Sequence, residues 1–569
     1  MLSENILEKI QQARSTGDPI ADAGHVPYQN IGELLFRQGR YYDTKPFLIY
    51  YDLEGNRLEY GYKDFFMLAQ QCANLMYAEG VRRGDRVATI SHNHADTVIQ
   101  YFACWLLGAC VVPVSVSEDD NRILYILENS KVKLAFLRCE YEERMLPLLT
   151  SIPSLLVTLI CGPCERKPAL RYFDEALDAS DPFFTSTEAV KANDEALIVY
   201  TSGTTGHPKG VVLTQYNLLV DAKGISEWHE MTNAQRMMCV LPIHHVNGTV
   251  VTLMTPMYFG GSVVLNQKFQ SEYFFERIRA ERVHVVSVVP TLLAFLIEYY
   301  KIRPELLAAL KAEMSTLRHI ICGAGPLTVE LAQQFEEMFG ITILHGYGLS
   351  ETTCYSCFLP IDLSQEMHRH WMRDFGFPSI GLALPQNEMI IASETGVELA
   401  HGEKGEIAIR GFNVMRYYYE NDEANEKTFE YGWFRSGDEG FYELDDEGRK
   451  FFFITGRLKE LIIRGGVNIS PLEIDEVIAR HPNVKAGIAV GFENDFYGEE
   501  VGAYVQIVEG ASLSEQELLA FCRELLPFSK APKVVVFGNE IPVTSTGKYQ
   551  RNKCKPLFAE WRAAQFRKS

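Results

Sequence analysis

From Arg86 to His345, short apolar runs rich in β-branched residues alternate with longer runs of helical period, and this alternation constrains the fold more than any other feature of the chain. The predicted strands are Val87–Ser91, Cys110–Val114, Leu134–Leu137, Leu155–Ile160, Ala196–Thr201, Ser262–Leu265, Val283–Val289, His319–Cys322 and Ile341–His345. Helical runs such as Pro304–Met314 and Val329–Phe339 separate many of them. A helix between two strands supplies the crossover that parallel pairing needs, so the pattern predicts parallel sheets covered by helices. In such folds ligands bind at loops beyond the strand C-termini. Tyr200–Gly210, Gly323-Ala324-Gly325 and Gly346-Tyr347-Gly348 occupy that position.

The first of these loops reads Y-T-S-G-T-T-G-H-P-K-G, between the apolar runs Ala196–Val199 and Val211–Leu213. It predicts strand, tight loop, strand. The hydroxyls of Thr201, Ser202, Thr204 and Thr205, the backbone N–H groups made approachable by Gly203 and Gly206, and the ammonium of Lys209 are what a polyphosphate needs. A plain Ser/Thr/Gly turn between strands has the same composition. The nucleotide P-loop G-x-x-x-x-G-K-[ST] does not fit, because Pro208 stands five residues after Gly203 and Gly210 follows Lys209. The phosphate reading therefore needs support from elsewhere in the chain.

At 569 residues the chain is too long for one core, and two or more domains are expected. A net charge of −20 and a pI near 5.3 argue against nucleic acid or an anionic membrane surface as a main partner. An anionic ligand must then be held by local basic groups. Twelve cysteines are too sparse for a disulfide scaffold, which fits a reducing, cytoplasmic compartment. Cys161/Cys164 and Cys354/Cys357 would have to converge to hold zinc; buried free thiols are the plainer reading. The most apolar window, Val98 to Val114, contains Gln100, Gly108 and Pro113. It predicts a buried helix running into a buried strand rather than a membrane span. The charged N-terminus has no signal-peptide core.

Near Arg435–Gly456 the texture becomes antiparallel and turn-rich, and after Gly456 it resets. Ser470-Pro471-Leu472-Glu473 joins a capping box to a proline at the first helical position, and Ser514 with Glu517 repeats the capping signal. These signals predict a large N-terminal domain over 1–456 and a small α+β domain over 457–569. The joint, Arg457-Leu458-Lys459, is short and polar, with no Gly/Ser linker, and suits a hinge.

Five separated stretches resemble, in order and spacing, the adenylate-forming superfamily of acyl-CoA synthetases, non-ribosomal adenylation domains and beetle luciferases. They are Tyr200–Gly210, Tyr347-Gly348-Leu349-Ser350-Glu351-Thr352-Thr353, Ser436-Gly437-Asp438, Gly456-Arg457-Leu458-Lys459-Glu460 and Pro542-Val543-Thr544-Ser545-Thr546-Gly547-Lys548. The resemblance implies an α/β fold: a large N-terminal domain of helix-covered sheets with a small β-rich section, and a smaller mobile α+β lid. It implies attack of a carboxylate on the α-phosphate of ATP, loss of pyrophosphate, and transfer of the acyl group to coenzyme A. Such chemistry asks the protein to position and neutralise rather than to react covalently.

By the same resemblance, Thr201, Ser202, Gly203, Thr204, Thr205, Gly206 and Lys209 cradle the β- and γ-phosphates, and Glu351, next to Ser350, holds Mg²⁺. Asp438 accepts from the ribose hydroxyls with Arg457 in support, while Gly323-Ala324-Gly325 and Gly346-Tyr347 form an adenine shelf. Lys548 bridges the carboxylate and the α-phosphate, Lys459 is the pivot, and Gly465-Gly466 lets a thiol arm pass close to the backbone. Ser350 and Ser436 replace usual threonines, and Arg416 replaces a usual glycine before Tyr417-Tyr418, which leaves the turn there open.

Leu241–Gly248 resembles the stretch that lines the acyl pocket. It has no aspartate for an α-ammonium, and no carrier-protein domain follows, so the expected acid is not an amino acid. Gly348 falls where acetate-specific synthetases carry a tryptophan, so a larger acid, fatty or otherwise, is expected. His244 and His245 read plainly as core histidines, but the resemblance makes His245 a channel residue that orients the carboxylate. An acyl-adenylate ligase serving a carrier protein, and an inactive nucleotide-binding protein of the same fold, are the alternatives.

Overall fold

The apolar window becomes the helix Ala95–Leu107 followed by the strand Cys110–Val114. His94 caps the helix by accepting from the Asp96 N–H, and Gly108 ends it in a left-handed turn at φ 79°. All its residues except Asp96 and Leu106 are buried, because it lies between two large sheets. Trp105 Nε1 donates to the Ala196 carbonyl at 2.8 Å on one side, and the Tyr101 hydroxyl donates to the Ile243 carbonyl at 3.3 Å on the other. Burial on every face explains the unbroken apolarity. No helix among the described residues is long and apolar enough to cross a membrane.

The structure, a computed structural model, describes residues 2–16, 25–185, 188–201, 207–543 and 549–567. Among them the strands form four sheets. In the nine-stranded sheet, Pro46–Tyr51, Ser262–Asn266, Arg236–Cys239, Val285–Val288, His319–Cys322 and Ile343–Tyr347 run parallel, with antiparallel edges. In the eight-stranded sheet, Glu195–Thr201, Cys110–Val114, Arg86–Ile90, Leu134–Arg138, Val157–Cys161 and Arg171–Tyr172 do the same. At its other edge Lys209–Thr214 pairs antiparallel with Glu195–Thr201, and Tyr417–Tyr418 pairs with Lys209–Thr214. Asn93 fastens the two sheets together, donating to the carbonyls of Leu241 and Asn266 and accepting from the Ile243 N–H.

A four-stranded antiparallel sheet, Asn387–Ala392, Gly405–Gly411, Phe434–Leu444 and Lys450–Arg457, forms the β-rich section. Beyond it the chain makes a five-stranded sheet around Val484–Asn494 and Gly498–Ile507, with its own apolar clusters. The fold is thus a large α/β body of mixed sheets and helices followed by a smaller α+β unit. Ser514 and Glu517 form the expected capping box. At Ser470 the helix Pro471–Ala479 starts as expected, but the box does not form. The Ser470 hydroxyl instead donates to the Thr455 carbonyl, and Glu473 pairs with Lys530 at 2.7 Å. All twelve cysteines are free thiols.

Candidate active site

Strand pairing brings the ends of the hydroxyl-rich loop together, with Thr201 opposite Lys209 and Tyr200 opposite Gly210. Ser202, Gly203, Thr204, Thr205 and Gly206 lie outside the described residues. The Lys209 ammonium sits 4.6 Å from the ring centroid of Tyr418, whose hydroxyl donates to Glu351 Oε1 at 2.8 Å. Burial and then the charge of Lys459 pull the Lys209 ammonium below the ordinary lysine range, with Glu351 opposing. One aromatic ring therefore separates a cation from an anion. Arg416, which precedes this ring pair, donates its N–H to the Val212 carbonyl at 2.8 Å and does not adopt a positive φ, so no glycine is needed there.

Glu351 lies in the single turn Ser350–Thr352, tied down by its carbonyl, which accepts from the Met415 N–H at 2.7 Å. Among the described residues no three or more His, Cys, Asp or Glu side chains form a metal cage. A single hard carboxylate nevertheless fits Mg²⁺, which takes its remaining ligands from phosphate oxygens and water.

Asp438 is 1% exposed and faces Arg457 across the strand pair Phe434–Leu444 and Lys450–Arg457. Its Oδ2 accepts from the Tyr347 hydroxyl at 2.6 Å; its Oδ1 lies 3.4 Å from Arg457 Nε and carries no hydrogen bond. Asp438 holds the Arg457 guanidinium above its ordinary value. Such a buried oxygen is an acceptor in reserve for a hydroxyl donor. The Ser436 hydroxyl accepts from the Asp438 N–H at 3.0 Å and fixes the turn.

The glycines expected to leave room for a ligand have packing reasons of their own. A Cβ on Gly323 would lie 2.6 Å from the Tyr355 hydroxyl, and one on Gly346 would lie 2.2 Å from the Phe358 ring. On Gly348 it would lie 1.8 Å from the Cys354 carbonyl oxygen, so backbone packing alone excludes a side chain. Gly325 is looser, with Pro290 at 3.4 Å, and Ala324 between them is left-handed at φ 61°.

His244 and His245 are half-buried with ring centroids 4.4 Å apart, and burial pulls His244 down to about 4. The following Asn247 joins a buried chain in which it accepts from the Ser287 hydroxyl at 2.8 Å and donates to the Tyr355 hydroxyl at 3.2 Å. Neither Tyr355 nor the bridging role of Tyr418 was visible in the sequence, although the Tyr417-Tyr418 pair was the signal for the latter.

Lys459 is exposed in the turn Leu458–Glu460, near enough to Lys209 to lower it. Gly465 and Gly466, at φ 58° and 83°, form the exposed two-residue turn between Ile462–Arg464 and Val467–Ile469. Both angles need glycine-like freedom, as in a type I′ hairpin. Lys548 lies outside the described residues; beyond it, Arg551 pairs with Asp475 and lies 3.7 Å from Glu460.

Residues 35–419 match the protein family described as AMP-binding enzyme, and residues 473–548 match the AMP-binding enzyme C-terminal domain. An oxalate–CoA ligase of Arabidopsis thaliana is 30% identical over 499 residues, 87% of this chain and 92% of that protein. A sulfoacetate–CoA ligase of Cupriavidus necator is 31% identical over 531 residues, 92% of this chain and 97% of that protein. Among solved structures, ATP-bound MatB from Rhodopseudomonas palustris superposes with a TM-score of 0.81 at 26% identity, covering 93% of this chain and 99% of that one. The o-succinylbenzoate CoA synthetase of Bacillus subtilis, in complex with its acyl-adenylate, gives 0.77 at 28% identity, covering 92% and 97%.

Proposed function

The chain belongs to the family of AMP-binding enzymes, and from that premise we propose that it joins a non-amino carboxylic acid, larger than acetate, to coenzyme A. Its first half-reaction activates the acid with ATP, giving an acyl-adenylate and pyrophosphate. The observations that carry the proposal are two linked sets of side chains, Lys209 with Tyr418 and Glu351, and Tyr347 with Asp438 and Arg457. The Arg457 guanidinium feels the charge of Asp438 first and that of Glu351 more weakly, which supports a common site.

In this reading Lys209 draws the terminal phosphates toward the loop, the free oxygen of Asp438 accepts from the ribose, and Lys548 arrives with the lid to bridge carboxylate and α-phosphate. Mg²⁺ held at Glu351 would offset the triphosphate charge. His245 orients the carboxylate, and Gly323-Ala324-Gly325 with Gly346 and Tyr347 flank the adenine. Rotation about Lys459 then presents the Gly465-Gly466 turn to the thiol. That the Arabidopsis thaliana and Cupriavidus necator relatives are CoA ligases supports coenzyme A as acceptor. The absence of an aspartate from Leu241–Gly248 supports a non-amino acid.

The test is a panel of carboxylic acids, from acetate and short diacids to fatty acids, assayed for ATP-dependent pyrophosphate release with and without coenzyme A. Acyl-CoA detected by mass is the expected product. An adenylate that forms but never reaches coenzyme A would move the assignment to a carrier-protein ligase.

A further inference from the structure

Ten of the twelve cysteines are buried, and the two that reach solvent in part, Cys139 and Cys164, interact with each other. Sequence spacing joins Cys164 to Cys161, but the fold separates them. Cys161 is 2% exposed, and its thiol accepts from Gln100 Nε2 at 3.4 Å inside the core. Beyond it Gly162 turns the chain at φ 105°, where a Cβ would lie 2.7 Å from Arg138 Nη2. That turn brings Pro163 and Cys164 to the neighbouring loop, where Cys139 directly follows the strand Leu134–Arg138. The Cys139 thiol donates to the Pro163 carbonyl at 3.7 Å.

Arg138 and Cys161 are partners in the parallel strand pair, so the two loops leave from backbones about 4.8 Å apart. A disulfide spans Cα atoms about 4.4–6.8 Å apart. Arg138 holds the base of the loops: it is 4% exposed and pairs with Asp96 at 3.3 Å and with Glu140 at 3.0 Å. We propose that Cys139 and Cys164 are a reversible modification site, a thiol pair that a low-molecular-weight disulfide oxidises to an intramolecular bridge without rearranging the fold.

The thiolate is the attacking form in such exchange. Burial, then the charge of Glu140 and the neighbouring thiol, pushes the Cys139 thiol up to about 12, so the first attack falls to Cys164. Its sulfur bonds to one sulfur of the oxidant, the oxidant's S–S bond breaks, and one small thiol leaves with the proton that Cys164 gave up. Cys139, held beside this mixed disulfide, then gives up its proton and attacks the Cys164 sulfur. The protein bridge forms and the second small thiol leaves with that proton. Two protein thiols are oxidised and one small disulfide is reduced to two thiols.

The test is to hold the full native chain with excess glutathione disulfide, block remaining thiols with N-ethylmaleimide in denaturant, and map unreduced peptides by mass. The expected result is one bridged peptide pair, Cys139 with Cys164, with the ten buried cysteines blocked as free thiols and the bridge reversed by dithiothreitol. Cys139→Ser should stop at glutathione bound to Cys164. The bridged chain should unfold at a higher temperature than the reduced one, because the bridge restricts the unfolded chain. Failure to find the pair, a bridge from Cys164 to Cys161, or modification of the buried cysteines at the same rate overturns the proposal. So does a bridged chain that unfolds at a lower temperature, since the loops would then have been distorted to close it.

Discussion

Glu476, in the C-terminal unit, reaches the start of the helix Val329–Phe339 in the large body, where both of its carboxylate oxygens accept from the Val329 N–H at 3.0 and 3.2 Å. A carboxylate at a helix N-terminus satisfies an orphan donor. Burial nevertheless pushes this carboxyl up to about 8, from an ordinary value of 4.5. The docked form therefore holds a proton that the undocked form releases. Docking is tightest below the lower value and weakens progressively as pH rises to the upper one. Limited proteolysis of the 457–461 joint should be faster at about pH 8 than at about pH 5.5, relative to a Glu476→Gln variant that cannot titrate. Parallel cleavage of the two proteins across that range would count against it.

Lys209→Ala removes the ammonium that faces Tyr418 and Glu351. Adenylate formation, followed as pyrophosphate exchange, is expected to fall by ~10²–10³, the scale of one charge-stabilising donor. Lys548→Ala should cost a like factor in the same assay. Near-normal exchange in either variant sinks the role given to that lysine.

A proline at Lys459 fixes φ and stiffens the joint between the two units. On the proposed role of Lys459 as the pivot that brings a different face of the small unit to the second step, thioester formation should then slow more than adenylation. Single-turnover measurement of each half-reaction decides this, and equal losses would argue that Lys459 is no pivot.

Three histidines lie in apolar surroundings that disfavour their charge: burial pulls His319 down to about 3 and His244 and His345 down to about 4, against an ordinary 6.5. The His319 ring also stacks on His229 with centroids 4.9 Å apart. The unfolded chain takes up protons at these groups first, so stability is intact above about pH 6.5 and is lost as pH falls toward 4. Thermal unfolding across that window should show the midpoint dropping with acidification. His319→Gln, which cannot charge, should make the drop shallower; an unchanged slope would remove His319 from the account.

Much of the scaffold was legible because buried parallel strands and their crossover helices write themselves in long apolar periods. Cys110–Val114, His319–Cys322 and Val329–Phe339 have the expected ends. Val283–Val289 shrinks to Val285–Val288, since Pro290 opens a helix and the flanking valines are apolar without being paired. Edge strands such as Arg57–Gly61 are mostly exposed and carry no such period. Thr201 and Lys209 could be named from local chemistry, and Glu351, Asp438 and Arg457 only through the family resemblance; the ring contacts that connect them could be read from neither. Tyr418 lies 67 residues from Glu351, and Tyr347 lies 91 from Asp438, so only the fold makes each pair. Gly323 and Gly348 illustrate the opposite limit: their bareness is read easily, whereas its cause, a phenol and a carbonyl pressed against them, is tertiary.

Ser470 and Thr455 stand on opposite sides of Lys459, and the hydroxyl of one is bonded to the carbonyl of the other. A swing of the small unit about the proposed pivot would part them, leaving a donor and an acceptor to find water. That one bond, worth about 1 kcal/mol, would bias a pivoting unit toward the observed posture.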